Sequence, residues 1–232
     1  MRQEDIDRVR ALRLFRDVAD ETFETLLRAS FLQRFPRGLT LIRESEPADF
    51  LHVVIEGAVE MFAAGNGRET TISLVHPIGA FILAAVLKDQ VNLQSARTLE
   101  PSQILMIPAV SVRQAMERDP AFMSAIVAEL ATGYRTVVKD LKNQKLRTGA
   151  ERLANWLLRQ EKERGAGGKV EIDVEKRTLA ALLGMTPENL SRALATLKQH
   201  GVAVRGAQIE INERDRLVRF AHPDPLIDDY DI

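Results

Sequence analysis

The segment Thr178-Leu179-Ala180-Ala181-Leu182-Leu183-Gly184-Met185-Thr186-Pro187-Glu188-Asn189-Leu190-Ser191-Arg192-Ala193-Leu194 constrains the fold most, because its residue types fall in the order of a helix-turn-helix. Ala180 is small where two helices must cross closely, and Gly184 stands where the turn between them needs a positive φ. Thr186 is a good N-cap and Pro187 a good first helical residue, so the second helix has a defined start. Within it Glu188, Ser191 and Arg192 are spaced i, i+3, i+4 and share one face near the N-terminus. Leu190, Ala193, Leu194 and Leu197 take the opposite, buried side, and His200-Gly201 closes the helix. The stretch from Val202 to Ile211 then reads as two short alternating strands around Gly206, a β-hairpin wing.

A helix of this kind reads duplex DNA with its N-terminal residues in the major groove. Arg192 suits guanine O6 and N7, Glu188 suits the cytosine N4 amino group, and Ser191 can serve either partner. Thr186, Asn189, Lys198, Arg205 and Arg177 complete the expected DNA-contacting set. From Lys176 to Phe220 there are eight Lys and Arg against four Asp and Glu, a local charge of +4 in a chain whose net charge is −1. A second copy would double that field across one face. The alternative is a helical hairpin whose polar face is merely solvated or meets a partner protein.

At 232 residues the chain is long enough for two domains with cores of their own. Aromatic residues make up only 5%, which argues against a carbohydrate-binding or base-stacking surface. There is no cysteine, which excludes disulfides, thiolate zinc sites, cysteine-ligated iron–sulfur clusters and thiol switches. No apolar run approaches the ~18–20 residues of a membrane helix. Met1-Arg2-Gln3-Glu4-Asp5 lacks the apolar core of a signal peptide. The expectation is a cytoplasmic protein without a membrane partner.

Residues 4–35 show helical apolar spacing (Leu12, Leu14, Phe15, Phe23, Leu26, Leu27) until Pro36-Arg37-Gly38 breaks it. From Leu39 to Pro108 short apolar runs alternate with turns, among them Leu51–Ile55, Val59–Phe62, Thr70–Val75, Phe81–Leu83 and Gln103–Pro108. That spacing predicts a compact antiparallel barrel or jelly roll. Asp119-Pro120 starts a long helix running to about Lys145. Met123, Leu130 and Val137 repeat every seven residues, as do Val127, Tyr134 and Leu141, and this heptad stripe predicts a helix–helix dimer. The competing reading packs the helix on its own domain. A further helix covers Ala150–Glu163, Gly165-Ala166-Gly167-Gly168 makes a flexible loop, and Val170-Glu171-Ile172 a short strand. The acidic residues from His222 on are expected to fray. The predicted class is α+β, with a double-stranded β-helix or jelly-roll sensor domain with flanking helices (1–118), a dimerisation helix (119–146) and a winged helix-turn-helix (147–232).

An eight-stranded roll, a long dimer helix and a winged helix in that order resemble the CRP/FNR family of bacterial transcription regulators. The likeness spans nearly the whole chain. It is strongest at Ile55-Glu56-Gly57-Ala58-Val59, at Ile78-Gly79-Ala80-Phe81 and at Glu188-Asn189-Leu190-Ser191-Arg192. The E-x-x-S-R spacing is that of the FNR-type recognition helix, whose members read TTGAT half-sites in the palindrome TTGAT-N4-ATCAA. The resemblance implies that Glu188, Ser191 and Arg192 read bases and that the homodimer recruits RNA polymerase.

The sensor half departs from the cyclic-nucleotide branch of that family, which places a ribose-binding glutamate after G-x-F-x-G and an R-S/T pair for the phosphate. Here Gly79-Ala80-Phe81-Ile82 runs on as Leu83-Ala84-Ala85, so the glutamate position is apolar, and Gln94-Ser95 stands where the arginine pair belongs. An uncharged amide cannot neutralise a phosphate. Arg97 is the nearby substitute, and Phe81, Leu83, Ala84, Gln94, Ser95 and Arg97 form the expected effector pocket. The resemblance therefore implies an effector other than cAMP. Cysteine-free members include the DNR and NnrR regulators, taken to detect nitric oxide through haem, and FixK-like members with no known small effector. A haem would need an axial ligand. His52 lies in a strand, His200 and His222 lie at the recognition helix and the tail, and His76, on the turn His76-Pro77-Ile78-Gly79, is the candidate. An enzyme on a cupin-like roll would need two or three histidines converging with a carboxylate on one metal, and the roll holds only His52 and His76. No P-loop or serine nucleophile motif appears.

Overall fold

Strand and helix signals sort the chain into two compact units, Met1–Gly133 and Tyr134–Ile232. The computed structural model describes residues 2–164 and 167–229. Gly165 and Ala166 of the expected flexible loop therefore lie outside the described residues, as does the end of the acidic tail from Tyr230.

The first unit opens with α1 (Gln3–Arg10) and α2 (Asp20–Ala29), followed by β1 (Phe31–Phe35), β2 (Thr40–Ile42), β3 (Phe50–Glu56), β4 (Val59–Gly65), β5 (Arg68–Val75) and β6 (Gly79–Phe81). Then come α3 (Leu83–Lys88), β7 (Ser95–Thr98), β8 (Ser102–Pro108), α4 (Ala109–Arg118) and α5 (Pro120–Leu146), the last shared with the second unit. The eight strands form two antiparallel four-stranded sheets, ordered β1-β8-β3-β6 and β2-β7-β4-β5. Alternation along β3 explains how one sheet serves two cores. Leu51, Val53 and Ile55 join the core under the helices, with Phe15, Leu26, Val112 and Phe122. Val54 instead joins Val59, Met61, Phe81, Ala96 and Ile104 inside the roll. The β3–β4 turn requires Gly57, whose φ is +88° and whose missing Cβ would meet Ser102 Oγ at 2.3 Å.

Two local expectations need correction. The helical spacing ends earlier than residue 35: the Ser30 hydroxyl donates back to the Leu26 carbonyl, the backbone turns extended, and Phe31–Phe35 pairs with β8. Leu83 does not continue a strand, because Leu83-Ala84-Ala85-Val86-Leu87-Lys88 is made largely of good helix formers and forms α3.

The long helix spans the residues predicted for it. The Asp119 carboxylate accepts from Ala121 N at 2.9 Å and Phe122 N at 3.1 Å and so fixes its start. Phe122 and Ile126 bury one side of it in the sensor core.

The second unit contains α6 (Gly149–Arg164), β9 (Lys169–Glu171), α7 (Lys176–Leu182), α8 (Pro187–Lys198), β10 (Val202–Arg205), β11 (Gln208–Ile211), α9 (Arg214–Ala221) and α10 (Pro225–Asp228). Thr148 and Glu151 form a reciprocal capping box at the head of α6: Thr148 N donates to the Glu151 carboxylate at 2.7 Å, and Glu151 N donates to Thr148 Oγ1 at 3.4 Å. The wing is the expected hairpin, with β9 added beside β11. The tail does not fray at His222. Asp224 caps α10, and Ile227 is buried.

Candidate nucleic-acid interface and sensor core

The turn of the helix-turn-helix is built by backbone chemistry that the sequence announces. α7 ends in a Schellman arrangement, with Gly184 N donating to the Ala181 carbonyl at 2.8 Å and Met185 N to the Ala180 carbonyl at 2.9 Å. Gly184 has φ +61° and lies against Gln144, whose Oε1 a Cβ would meet at 2.2 Å. Thr186 Oγ1 then accepts from Asn189 N at 3.3 Å and starts α8. Leu190, Ala193 and Leu197 are buried, while Leu194 is only half-buried.

Glu188, Ser191 and Arg192 are all exposed at the head of α8, as are Thr186, Asn189, Lys198, Arg177 and Arg205. The Glu188 carboxyl is held below the usual carboxylate range by its own backbone N–H and the Thr186 hydroxyl, with Arg192 and Lys176 adding to this. It is therefore an acceptor, as pairing with a cytosine amino group requires. The Ser191 hydroxyl donates to the Pro187 carbonyl at 2.8 Å, and its oxygen can still accept a hydrogen bond. Arg205, at the wing tip, carries a 3.4 Å ion pair with Glu210 but remains largely exposed.

Arg152, a basic residue of α6, has a structural task. It is buried, and its guanidinium donates to the carbonyls of Leu183 (2.7 Å), Gly184 (3.3 Å) and Arg147 (2.6 Å). Burial lowers its pKa. The cation thus sits among helix-terminal carbonyls, which carry partial negative charge, and ties the turn before α8 to the end of α5. Its signal in the sequence is weak: a cation five residues past Arg147, at the head of a helix.

The expected effector pocket does not assemble as one site. Phe81 faces the roll interior and stacks on His52 at 5.2 Å, whereas Leu83 is buried in the core under the helices and Ala84 is exposed. Gln94 is half-buried, and Ser95 Oγ accepts from Glu44 N at 2.9 Å. Arg97 departs most. Its neighbour Ala96 faces the roll interior, so Arg97 lies on the outer face of the sheet. There it bonds Glu60 at 2.6 Å and Glu69 at 2.7 Å and covers the Phe62 ring at 4.4 Å. Burial lowers its pKa, and the two carboxylates outweigh that to raise it.

The histidines also separate. His52 is buried, with Nδ1 at 3.0 Å from the Phe50 carbonyl, and burial pushes its pKa down to about 4. His76 is exposed on its turn. A groove of about 440 Å³ nearby is lined by Arg8, Arg13, Leu14, Ile78, Glu129 and Thr132 among others, and not by His76. No group of three or more His, Cys, Asp or Glu is placed to hold a metal among the described residues. The heptad residues Met123, Val127, Leu130, Tyr134, Val137 and Leu141 line α5 with 39–71% of their surface exposed.

Two family models match the chain: a cyclic nucleotide-binding domain over residues 32–119 and a Crp-like helix-turn-helix domain over residues 151–220. A solved structure from Silicibacter pomeroyi DSS-3, described as a candidate cAMP-binding regulatory protein, is 30% identical. It covers 96% of this chain and 100% of its own, with a TM-score of 0.62. The chain belongs to the CRP/FNR family of transcription regulators. This family consists of DNA-binding regulators and not of enzymes. The CRP-like cAMP-activated global transcriptional regulator of Mycobacterium tuberculosis is 26% identical over 193 residues, 81% of this chain and 86% of that protein. FixK2 from Bradyrhizobium japonicum shares the fold, with a TM-score of 0.71 at 22% identity over 82% of this chain and 96% of its own. Among the described residues no helix is long and apolar enough to cross a membrane.

Proposed function

We propose that this CRP/FNR regulator acts as a homodimer that reads the palindrome TTGAT-N4-ATCAA and recruits RNA polymerase, under an effector other than cAMP. The observation that carries the operator reading is the capped head of α8. It presents an ionised Glu188, Ser191 and Arg192 together on an exposed face. Thr186, Asn189, Lys198, Arg177 and Arg205 supply phosphate and flanking contacts around them. The dimer would form along the heptad stripe of α5, which places paired recognition helices in successive major grooves about 34–36 Å apart.

The effector reading rests on what surrounds the roll. The curated relatives are named for activation by cAMP, but here the positions expected to hold ribose and phosphate are apolar or amide. The one nearby arginine is committed to two carboxylates on the outer face. For a haem, His76, exposed on its turn, is the candidate axial ligand, whereas His52 is built into the roll core.

Footprinting on a duplex carrying TTGAT-N4-ATCAA tests the operator reading. Arg192→Ala should cost about 1–3 kcal/mol and relax preference at one base pair per half-site. Protection that ignores the half-sites, or an Arg192→Ala variant with unchanged affinity and base preference, refutes it.

A further inference from the structure

We propose that Arg147 and Asp228 are specificity-determining residues: their ion pair latches the C-terminal segment onto the end of α5 and sets which half-site spacing the dimer accepts. The proposal rests on the operator reading above. It concerns a segment that lies beyond the helix-turn-helix match, which ends at residue 220.

Only Arg147 and Thr148 separate α5 from α6, so the direction of the winged helix relative to α5 depends on the backbone there. The latch closes that joint through α9 and α10. α9 ends at Ala221, whose carbonyl accepts from Asn155 Nδ2 of α6 at 2.7 Å. The chain then turns back through His222-Pro223-Asp224 into α10, which Asp224 caps by accepting from Leu226 N at 2.9 Å. Asp228 receives both terminal nitrogens of Arg147, each at 2.6 Å, in a bidentate pair whose arginine side chain is only 7% exposed. Two lysines of α5 extend the seam: Lys139 donates to the Asp229 carbonyl, and Lys142 donates to the Leu226 carbonyl at 3.4 Å.

All of these groups belong to one compact unit. They form a ring running from α5 through Arg147, α6, Asn155, Ala221 and α10 back to Arg147. A ring closed by a planar, bidentate contact resists rotation at the Arg147-Thr148 joint far better than a single chain crossing would. In the dimer, α5 carries the symmetry axis and α8 carries the reading face, so the angle at this joint sets how far apart the two reading faces stand. One base pair of spacer moves a half-site by about 3.4 Å along the duplex and by about 35° around it. A fixed joint should therefore discriminate among spacers, and a loosened joint should tolerate them.

The test measures affinity of the full-length protein for three duplexes, with N3, N4 and N5 between TTGAT and ATCAA. Thermal midpoints are recorded alongside for the wild type, Asp228→Asn, Arg147→Gln and the double variant. The wild type should prefer N4 by about tenfold or more, comparable to a mismatched base pair. Either single variant should reduce that preference to about threefold or less, and the double variant should add nothing further, because each single change already breaks the pair. If one variant fails to fold, the other carries the measurement. Unchanged spacer preference overturns the latch, whether the thermal midpoint falls, as for a purely structural pair, or stays put. Wild-type protein that binds none of the three duplexes specifically overturns the operator reading itself, and the latch with it.

Discussion

Replacing Val137 with lysine tests the dimer along α5. Val137 is 63% exposed in the single chain, in the middle of a stripe that also includes Tyr134 and Leu141. Fully burying a side chain of this size is worth about 1.5–3 kcal/mol, so covering the exposed two-thirds contributes about 1–2 kcal/mol per copy and about 2–4 kcal/mol across a symmetric interface. Lysine removes that contribution and places two ammonium groups near the symmetry axis. Their repulsion is about 4 kcal/mol at 4 Å and an effective dielectric constant of 20, and bending of the long side chains toward water relieves part of it. A loss of about 4 kcal/mol or more weakens dimerisation roughly a thousandfold. Sedimentation equilibrium over a wide concentration range reads this directly, with far-ultraviolet circular dichroism confirming that the helices persist. Leu141→Lys should behave alike. If Val137→Lys remains dimeric with the wild-type dissociation constant and helix content, the stripe is not the interface.

Three further outcomes follow from the geometry. Arg152→Ala should lower stability to urea unfolding by about 2–4 kcal/mol, because the Leu183 and Arg147 carbonyls lose a charged donor and this outweighs relief of a buried cation; an undiminished unfolding midpoint contradicts that assignment. His52 is neutral in the fold, with a pKa of about 4 against 6.5 for the free side chain. Folding therefore loses stability as pH falls, because below 6.5 the unfolded chain takes up a proton that the fold refuses until about 4. The loss over that window is about 3 kcal/mol, and urea titrations of His52→Gln should lack this component of the pH slope. Calorimetric titration with cAMP should give no saturable heat, and stoichiometric binding would show that the roll offers a phosphate contact other than Arg97.

The DNA-binding half was legible because its signals are local. Thr186-Pro187 fixes a helix start by capping and φ restriction, Gly184 fixes a turn by its positive φ, and the 3.6-residue period sorts Leu190 from Ser191. The roll was legible as a class and less so in detail, since a run such as Phe81-Ile82-Leu83 serves equally in a strand or a buried helix. What sequence could not show were the pairings between distant residues. Nothing local joins Arg147 to Asp228, 81 residues apart, or Arg152 to the Leu183 carbonyl, 31 apart. The tail looked free because acidic composition suggests solvation, yet one of its carboxylates meets an arginine whose side chain is almost wholly covered.

Arg97 shows most clearly why a residue type in the right stretch is not yet a site. As a lone cation two residues past Ser95 it looked like a substitute phosphate ligand. Strand alternation decides otherwise, because Ala96 takes the interior position and turns Arg97 outward onto Glu60. Glu60 is almost wholly buried, and among the described residues its polar side-chain partners are Arg97 and the Thr71 hydroxyl. Recruiting Arg97 to an effector phosphate would strand that carboxylate. Breaking a buried pair in this way costs about 3–5 kcal/mol, whereas a charged hydrogen bond returns about 1.5–3 kcal/mol. The balance keeps Arg97 on Glu60, so a phosphate-bearing effector inside this roll would have to find its counter-charge elsewhere. Glu60→Gln would leave the arginine held by Glu69 alone, and it would lower the roll's own stability.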